Sequence, residues 1–447
     1  MAPPETVGFM KKLFLLVLFS YGFQAFAQQR FGSLQEVLAY ADAHAAAIKN
    51  ADIQQKISHS QSRAAKEALL PTVNASGGYT DNITLQPTLV PANLFDPTAP
   101  AGSYNEFTFG RKYLYTTGLQ ANWNVLDFEK WFELKTTAAQ EAVNKASATA
   151  IRYNSFNELA QTYYAILLTE KYIAISAENL MVADSIFKTS SEKYGKGIIT
   201  QENLNRAKIQ QLQAKNNLDN LQYSVKELYY KLQRQLNISG PIVVTDSINI
   251  QDVPLEETTI NSPHPEVQLQ EAQATMAEAR LKQVKSLYYP SLNLLYQYNY
   301  TWAGDSFLNF GNTNQLSQQL FGVKLSVPIF NGLATREKVL QTNLAFEQQQ
   351  TLLESKEIQA KKDDETLVLQ YQKSVQELQK QGEILDLQQQ NDVFTANRYN
   401  SGIISLDERL DKFADLLAVQ NQYMQSLSNY YVSYYQIYIR QTITTQP

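Results

Sequence analysis

The chain has 447 residues, no cysteine, and 38 basic against 43 acidic residues, a formal net charge of -5. Dispersed charges near balance argue against a nucleic-acid surface, and a chain without cysteine has no disulfide, no acylated N-terminal cysteine and no thiol nucleophile. The histidines, His44, His59 and His264, sit apart, and no glycine-rich phosphate loop follows a strand, so no catalytic site, metal site or cofactor is expected.

Met10-Lys11-Lys12 opens the apolar run LFLLVLFSYGFQAFA, which is too short to span a bilayer and ends in Ala25-Phe26-Ala27. Basic start, apolar middle and small-residue exit read as a secretory signal peptide over 1–27, with Met10 a possible true start and Gln28 the first mature residue. No other stretch approaches 18 consecutive apolar residues, so no transmembrane helix is expected. Beyond the signal, KYGKGIIT at 193–200 returns as RYNSGIIS at 398–405. The flanks repeat too: GLQANWNVLDF from Gly118 answers GVKLSVPIFNG from Gly322, and ALLPTVN from Ala68 answers SLYYPSLN from Ser286. The chain is therefore two tandem copies, 28–240 and 263–447, joined by a linker at 241–262. One loop is longer in the first copy, where it runs from Pro71 to Gly118, than in the second, where it runs from Pro290 to Gly322.

The first copy begins with a helical stretch at 33–69. A strand at about 71–83 follows, with Val73, Ala75 and Tyr79 alternating on one face. The segment Asp81 to Gly110, with prolines at 87, 91, 97 and 100, is expected to be an extracellular loop. In the second strand, 113–126, Tyr113, Tyr115, Leu119, Ala121, Trp123 and Val125 oppose Thr116, Gln120, Asn122 and Asn124. Proline is then absent until 241, and glycine is missing from 119–194 and 198–239. A proline inside a helix costs about 3 kcal/mol and a glycine about 1, so these stretches predict one helical hairpin over 129–238. Its long arm, Glu129 to Lys193, would run about 100 Å at 1.5 Å per residue, and must pack sideways on other long helices. Tyr194 closes that arm, Gly197 takes the left-handed conformation that ends it, and the Thr200 hydroxyl caps the next helix, 201–238.

The second copy repeats the plan with a helix at 266–288 and a strand at about 290–303. There Leu292, Leu294, Tyr296, Tyr298, Tyr300 and Trp302 face one way, and Ser291, Asn293, Gln297, Asn299 and Thr301 the other. A fourth strand at about 319–330 aligns Phe321, Val323, Leu325, Val327 and Ile329. The hairpin at 333–440 has the long arm Leu333 to Arg398, interrupted only by Gly382, and its run KKDDE at 361–365 reads as a solvated face. Tyr399, Gly402 and Ser405 form the second bend. In the last helix, 406–440, Leu410, Phe413, Leu417, Gln420, Met424, Leu427, Tyr431, Tyr434 and Tyr438 recur at threes and fours, a coiled-coil seam.

Strands of about 10 to 13 residues with one apolar face suit a tilted membrane crossing. Their aromatics Tyr113, Tyr115, Trp123, Tyr296, Tyr298, Tyr300 and Trp302 suit interfacial girdles. Four strands cannot close a barrel, which needs about eight, and an open edge is not tolerated in lipid, so the chain is expected to oligomerise.

These features together resemble the TolC-type outer membrane efflux proteins of Gram-negative bacteria. The matching residues are the signal peptide, the two copies, ALLP and LYYP entering the first strand of each copy, VPIFNG leaving the second strand into a long helix, and the YxxGxxS/T bends, in this order over 30–440. The resemblance implies a mainly α-helical fold with a membrane β-barrel: a homotrimer in the outer membrane whose chains give four strands each to a twelve-stranded barrel and their helices to a long periplasmic tunnel. It implies a channel of a tripartite efflux or type I secretion system, with outer membrane lipid, a periplasmic adaptor protein and an inner-membrane transporter as partners and no nucleic acid. It further implies that the bends at Gly197 and Gly402, with Lys196 and Ser401, meet the adaptor. Glu408 and Asp411 would line an acidic periplasmic gate, and Tyr399 corresponds to the tyrosine that bonds across helices to hold the tip shut. Ile404 stands where the family's lock has an arginine, and the first copy has Asn203 and Arg206 where the second has acids. Acids in a first helical turn also favour the helix dipole without any gate. A periplasmic coiled-coil adaptor, or a structural coiled-coil protein without a channel, is the alternative reading; an adaptor carries one hairpin, whereas this chain has two.

Overall fold

In the computed structural model, residues 29–248, 260 and 262–442 are described; the expected signal peptide and residues 249–259 and 261 of the linker lie outside them. The elements in chain order are β1 (Gln29–Phe31), α1 (Leu34–His44), α2 (Ala46–Glu67), β2 (Thr72–Asp81), β3 (Pro87–Pro91), β4 (Tyr104–Thr108), β5 (Tyr113–Leu126), α3 (Phe128–Gly195), α4 (Gln201–Leu236), β6 (Ile242–Val244), α5 (Pro265–Lys285), β7 (Ser291–Gly304), β8 (Asn314–Ser326), α6 (Ala334–Asn400) and α7 (Leu406–Thr442). The chain divides into two compact units, one of Met1–Gln54, Lys145–Leu269 and Glu354–Pro447, the other of Gln55–Asn144 and Gln270–Leu353.

The long arms are single helices of 68 and 67 residues, as the absence of proline dictates. The Asp127 carboxylate caps α3 by accepting the Lys130 N–H at 3.1 Å. α6 starts at Ala334, one residue after the expected start, because Leu333 has φ 69 and lies outside the helical region. The expected helix 33–69 is broken in two. Ala45 adopts ψ 131 while its N–H still bonds the Ala41 carbonyl. No proline or glycine marks this break; Ala45 and Ile48 are pulled into the core, and the His44 ring stacks on Tyr40 with centroids 4.2 Å apart.

In the first unit β1 and β6 form a parallel ladder, Gln29 on Ile242 and Phe31 on Val244. Phe31, Val37 and Ile48 pack there with Tyr163 and Ile166 of α3, Leu232 and Leu236 of α4, and Ile439 of α7. Each such side chain contributes about 1.5–3 kcal/mol by leaving water. Burial and a hydrogen bond to Asp246 push the Tyr163 hydroxyl pKa far above its ordinary value. α7 is buried along two stripes. Leu410, Phe413, Gln420, Met424, Leu427 and Tyr431 of the expected seam are buried, and so are Leu416, Tyr423, Tyr430 and Ile437, seven residues apart. Gln420, the polar member of the seam, accepts from Asn179 of α3 at 2.8 Å. Arg440 is the largest fully buried side chain, and all five of its N–H donors are used: two bonds to Asp364 of α6, two to Ser262 and one to the Pro263 carbonyl. Asp364 thus turns inward from the KKDDE run, whose other four residues stay exposed as expected.

The second unit holds a four-stranded antiparallel sheet in the order β2-β5-β7-β8. Its register puts Tyr79 opposite Tyr115, Tyr115 opposite Trp302, and Tyr296 between Ala121 and Phe321, so the four apolar faces read from the sequence become one face. β8 spans 314–326 rather than 319–330. Its polar start, Asn314 to Gln318, pairs with the end of β7, and Pro328, with no N–H, cannot extend the ladder, so Val327 and Ile329 lie outside the strand. The proline-rich segment 81–110 is not wholly irregular: β3 and β4 form a separate antiparallel hairpin with prolines at both ends of β3. Strands β2 and β8 are the edges of this sheet, each with its outer side unpaired among the described residues. No described helix is long and apolar enough to cross a membrane.

Candidate functional site at the two helical bends

The two bends share one backbone design. Gly197 has φ 70 and Gly402 φ 72. The Gly197 N–H bonds the Tyr194 carbonyl at 2.8 Å and the Gly402 N–H the Tyr399 carbonyl at 3.1 Å, while the Ile198 and Ile403 N–H groups reach Lys193 and Arg398 at 2.9 Å each. These paired bonds close a left-handed helix end. The Thr200 hydroxyl then accepts from the Asn203 N–H at 3.3 Å, and Ser405 from Glu408 at 3.1 Å, capping α4 and α7. Lys196 and Ser401, at the bend crests, are exposed.

The second bend is docked on the first hairpin. Tyr399 is buried, its hydroxyl 3.2 Å from the Ser190 hydroxyl of α3, and Ile404 is buried beside Ala183, Ile186 and Ala207. Lys193 lies over the Tyr399 ring, 3.7 Å from its centroid, and donates to the Tyr399 carbonyl at 3.1 Å. Burial lowers the Lys193 ammonium pKa from its ordinary value. Ile404, which cannot supply an ion pair, fills an apolar slot instead.

The charge linking the hairpins sits elsewhere. Asp407 pairs with Arg206 of α4 and accepts from the Asn203 amide at 3.3 Å. Glu408 reaches Arg398 across its own bend at 3.8 Å, with both side chains about half exposed, and Asp411 is exposed. Such exposed pairs are worth about 0–1 kcal/mol. Arg409 is different. It is buried, makes a two-pronged pair with Asp392 that includes a 3.2 Å bond, and lies 5.6 Å from the Phe413 ring centroid. Glu408 and Asp411 therefore lie on the solvent side of α7, Arg409 faces the packed helices, and Asp407, itself about half exposed, reaches across to α4. Sequence reasoning passed over Lys193, Ser190, Asp392 and Arg409; an acid before a bend and a base after it, as Asp392 and Arg409 are about Gly402, was the available signal.

The residues expected to form girdles lie at three levels of the sheet unit. Tyr79, Tyr113, Tyr115, Tyr300 and Trp302 cluster at one end with Phe307 and Phe310, the Tyr300 and Trp302 centroids 4.6 Å apart and those of Tyr115 and Phe310 4.9 Å apart. At the other end, the Trp123 indole donates to the Leu69 carbonyl at 3.0 Å, near the cluster of Phe128, Trp131 and Tyr289. Eight residues of strand separate Tyr115 from Trp123, roughly 27 Å at 3.4 Å per residue. Tyr296 and Tyr298 lie between these two ends.

The sequence matches the family model described as outer membrane efflux protein in two segments, 37–237 and 259–438. No curated protein sequence matches it. Among solved structures, a membrane protein from Pseudomonas aeruginosa is similar at 14% identity and TM-score 0.74, covering 91% of this chain and 93% of the other. The outer membrane protein VceC of Vibrio cholerae is similar at 15% identity and TM-score 0.73, covering 91% and 95%. The open-state MtrE outer membrane channel of Neisseria gonorrhoeae is similar at 16% identity and TM-score 0.67, covering 91% and 88%. A family pattern met twice over most of the chain, on two copies of one strand-and-hairpin plan, leads to one conclusion: the chain belongs to the outer membrane efflux protein family, channel proteins of the Gram-negative outer membrane.

Proposed function

We propose that three copies of this chain form a conduit for export in a tripartite efflux or type I secretion system, twelve strands closing a barrel in the outer membrane and the helices a periplasmic tunnel. The observation that carries this reading is the four-stranded sheet, whose apolar face is uncovered and whose edges β2 and β8 are open. In lipid an open edge leaves unpaired N–H and C=O groups at several kcal/mol each, and edge pairing between copies removes them. A coiled-coil adaptor or a purely structural protein would have no use for such a sheet. The bends are the periplasmic tip, where Lys196 and Ser401 meet an adaptor that links the channel to an inner-membrane transporter. The Arg206–Asp407 pair and the Lys193–Tyr399 contact hold the tip closed in place of the lock that Ile404 cannot make. A threefold axis would bring Glu408 and Asp411 of each copy around the passage.

The test is mass and conductance. Purified protein in mild detergent is expected to weigh three chains and to conduct ions in planar bilayers; a stable single chain without conductance overturns the reading. Replacing Glu408 and Asp411 together by alanine is expected to raise conductance and weaken cation selectivity and trivalent-cation block. Unchanged conductance and block would reduce these acids to a solvated helix start.

A further inference from the structure

Two recesses lie along the seam between α3 and α7 in the first unit. The one nearer the bends, of about 230 Å³, is lined on a third side by α4, and the other, of about 390 Å³, continues from it. They share Tyr172 and Asn421, whose side chains bond to each other at the junction. Together they make one groove over positions 165–179 of α3, roughly 20 Å long at 1.5 Å per residue. Asn179 stands as far before Gly197 as Gln420 stands after Gly402, which puts the nearer end of the groove roughly 27 Å from the bends.

The lining is polar, uncharged and only half committed. On the floor of the smaller recess Ser176, Asn179 and Gln420 are each at least nine-tenths buried. The Asn179 amide donates to Gln420 Oε1 at 2.8 Å, and the Asn217 amide to Ser176 Oγ at 3.2 Å. The other polar atom of each buried carboxamide, Asn179 Oδ1 and Gln420 Nε2, has no partner among the described residues, and neither is sealed from solvent. Gln210, Gln213 and Asn217 of α4 form the rim. In the larger recess Thr169, Gln425 and Ser428 stand beside Leu168 and Met424. No lining residue of either recess is acidic, basic or a histidine.

This chemistry selects its ligand. An ion would find no countercharge in the groove, and an apolar molecule would strip water from Asn179 Oδ1 and Gln420 Nε2 without replacing its hydrogen bonds. A hydroxyl both donates and accepts, so neighbouring hydroxyls of a sugar ring satisfy the acceptor and the donor together. Tyr172, half-buried and lining both recesses, supplies an aromatic ring against which the C–H side of a sugar packs. At about 30 Å³ per water the smaller recess holds about eight waters, the room of one sugar ring, and the larger recess takes the next ring. We propose that the groove between α3 and α7 binds a short uncharged oligosaccharide, with Tyr172 at the junction of two ring subsites. The groove lies within one chain, so the site goes beyond the proposed channel and does not depend on how many copies assemble. A free oligosaccharide and a stretch of a glycan polymer present the same hydroxyls, and the experiment separates them.

The test is binding of chitobiose and maltose to the purified full chain in a detergent without a sugar headgroup, read by saturation-transfer NMR and titration calorimetry. One or both disaccharides are expected to bind, while glucuronate and cyclohexanol, the charged and apolar controls, are not. Gln213→Leu with Asn217→Leu, both on the exposed rim, is expected to weaken binding about tenfold while helical circular dichroism stays that of the parent. Tyr172→Phe keeps the ring and should keep most of the affinity, and Tyr172→Ala should lose it. Retention of the protein on chitin beads, reversed by free chitobiose, assigns the groove to a glycan polymer; disaccharide binding without retention assigns it to a soluble oligosaccharide. No binding of either disaccharide, equal binding of the controls, or an affinity unchanged by the rim substitutions overturns the site. Native mass and conductance are measured separately, so the channel reading survives that failure, and sugar binding by a chain that neither assembles nor conducts would leave the site and remove the channel.

Discussion

The two bends have nearly the same backbone and nearly opposite surroundings. Tyr194 is 41% exposed and Tyr399, its counterpart in the second copy, is 3% exposed. Glycine, tyrosine and a hydroxyl cap set the turn in both places, because the left-handed residue and the capping oxygen act within a few residues. What the turn is attached to is decided at long range, by Ser190 and Lys193 beneath Tyr399 and by Arg206 beside Asp407. The copies diverge further inside. Arg409 and Asp392 of the second hairpin stand where the first, at the same offset, has Leu204 and Phe187. The second hairpin closes with a buried ion pair, and at the matching positions the first has two half-buried apolar residues.

That contrast breaks most sharply at Arg409. Its replacement by alanine strands the Asp392 carboxylate and is expected to cost about 3–5 kcal/mol, read from denaturant unfolding followed by helical circular dichroism. Installing the first copy's solution, Arg409→Leu with Asp392→Phe, should recover most of the loss; if the pair of changes is as damaging as the single one, the hairpins are not interchangeable in this way. Next comes Tyr399→Ala, expected to cost about 3 kcal/mol as a large-to-small change in a packed site, whereas Tyr194→Ala should lie within about 0.5 kcal/mol of the parent. Equal melting shifts for the two would mean that the second bend is no more docked than the first. Gly197→Ala and Gly402→Ala should then be alike, each destabilising by about 1–2 kcal/mol, because both glycines have positive φ and no atom within 4 Å of an added Cβ. A clear inequality would show that the bend is not set locally after all. The smallest change in stability, about 0–1 kcal/mol, is expected for Arg206→Ala, since both partners of its pair are about half exposed. Its effect should appear in conductance instead, as a larger and less salt-sensitive open current through a loosened tip.

The doubled plan, the long helices and both bends were legible because each is written in local features: missing proline and glycine, period-two alternation, an echoed octapeptide. The break at Ala45 was not, because alanine favours helix and only the packing of Ala45 and Ile48 bends the chain there. The register of β8 was misjudged at both ends: the apolar run through Ile329 looked like strand, yet the ladder stops before Pro328, and its polar start is strand only by virtue of β7. Asp364 looked like one charge in a solvated run because its partner, Arg440, lies at the far end of the next helix. The burial of Arg409 and the reach of Asp407 to α4 were likewise unreadable without Asp392 and Arg206 in place.

The two ends of each copy are also held close together, with residues of the linker as part of both fastenings. Gln29–Phe31 and Ile242–Val244 are bound by a β ladder, and Ser262 and Pro263 are bound to the far end of α7 by the saturated Arg440 guanidinium. A module whose start and finish already touch can be fused head to tail with a duplicate, or reopened elsewhere as a circular permutant, without drawing its ends apart. Tandem duplication of one ancestral module is thus topologically simple for this chain, and the two unlike fastenings mark where its copies have since evolved apart.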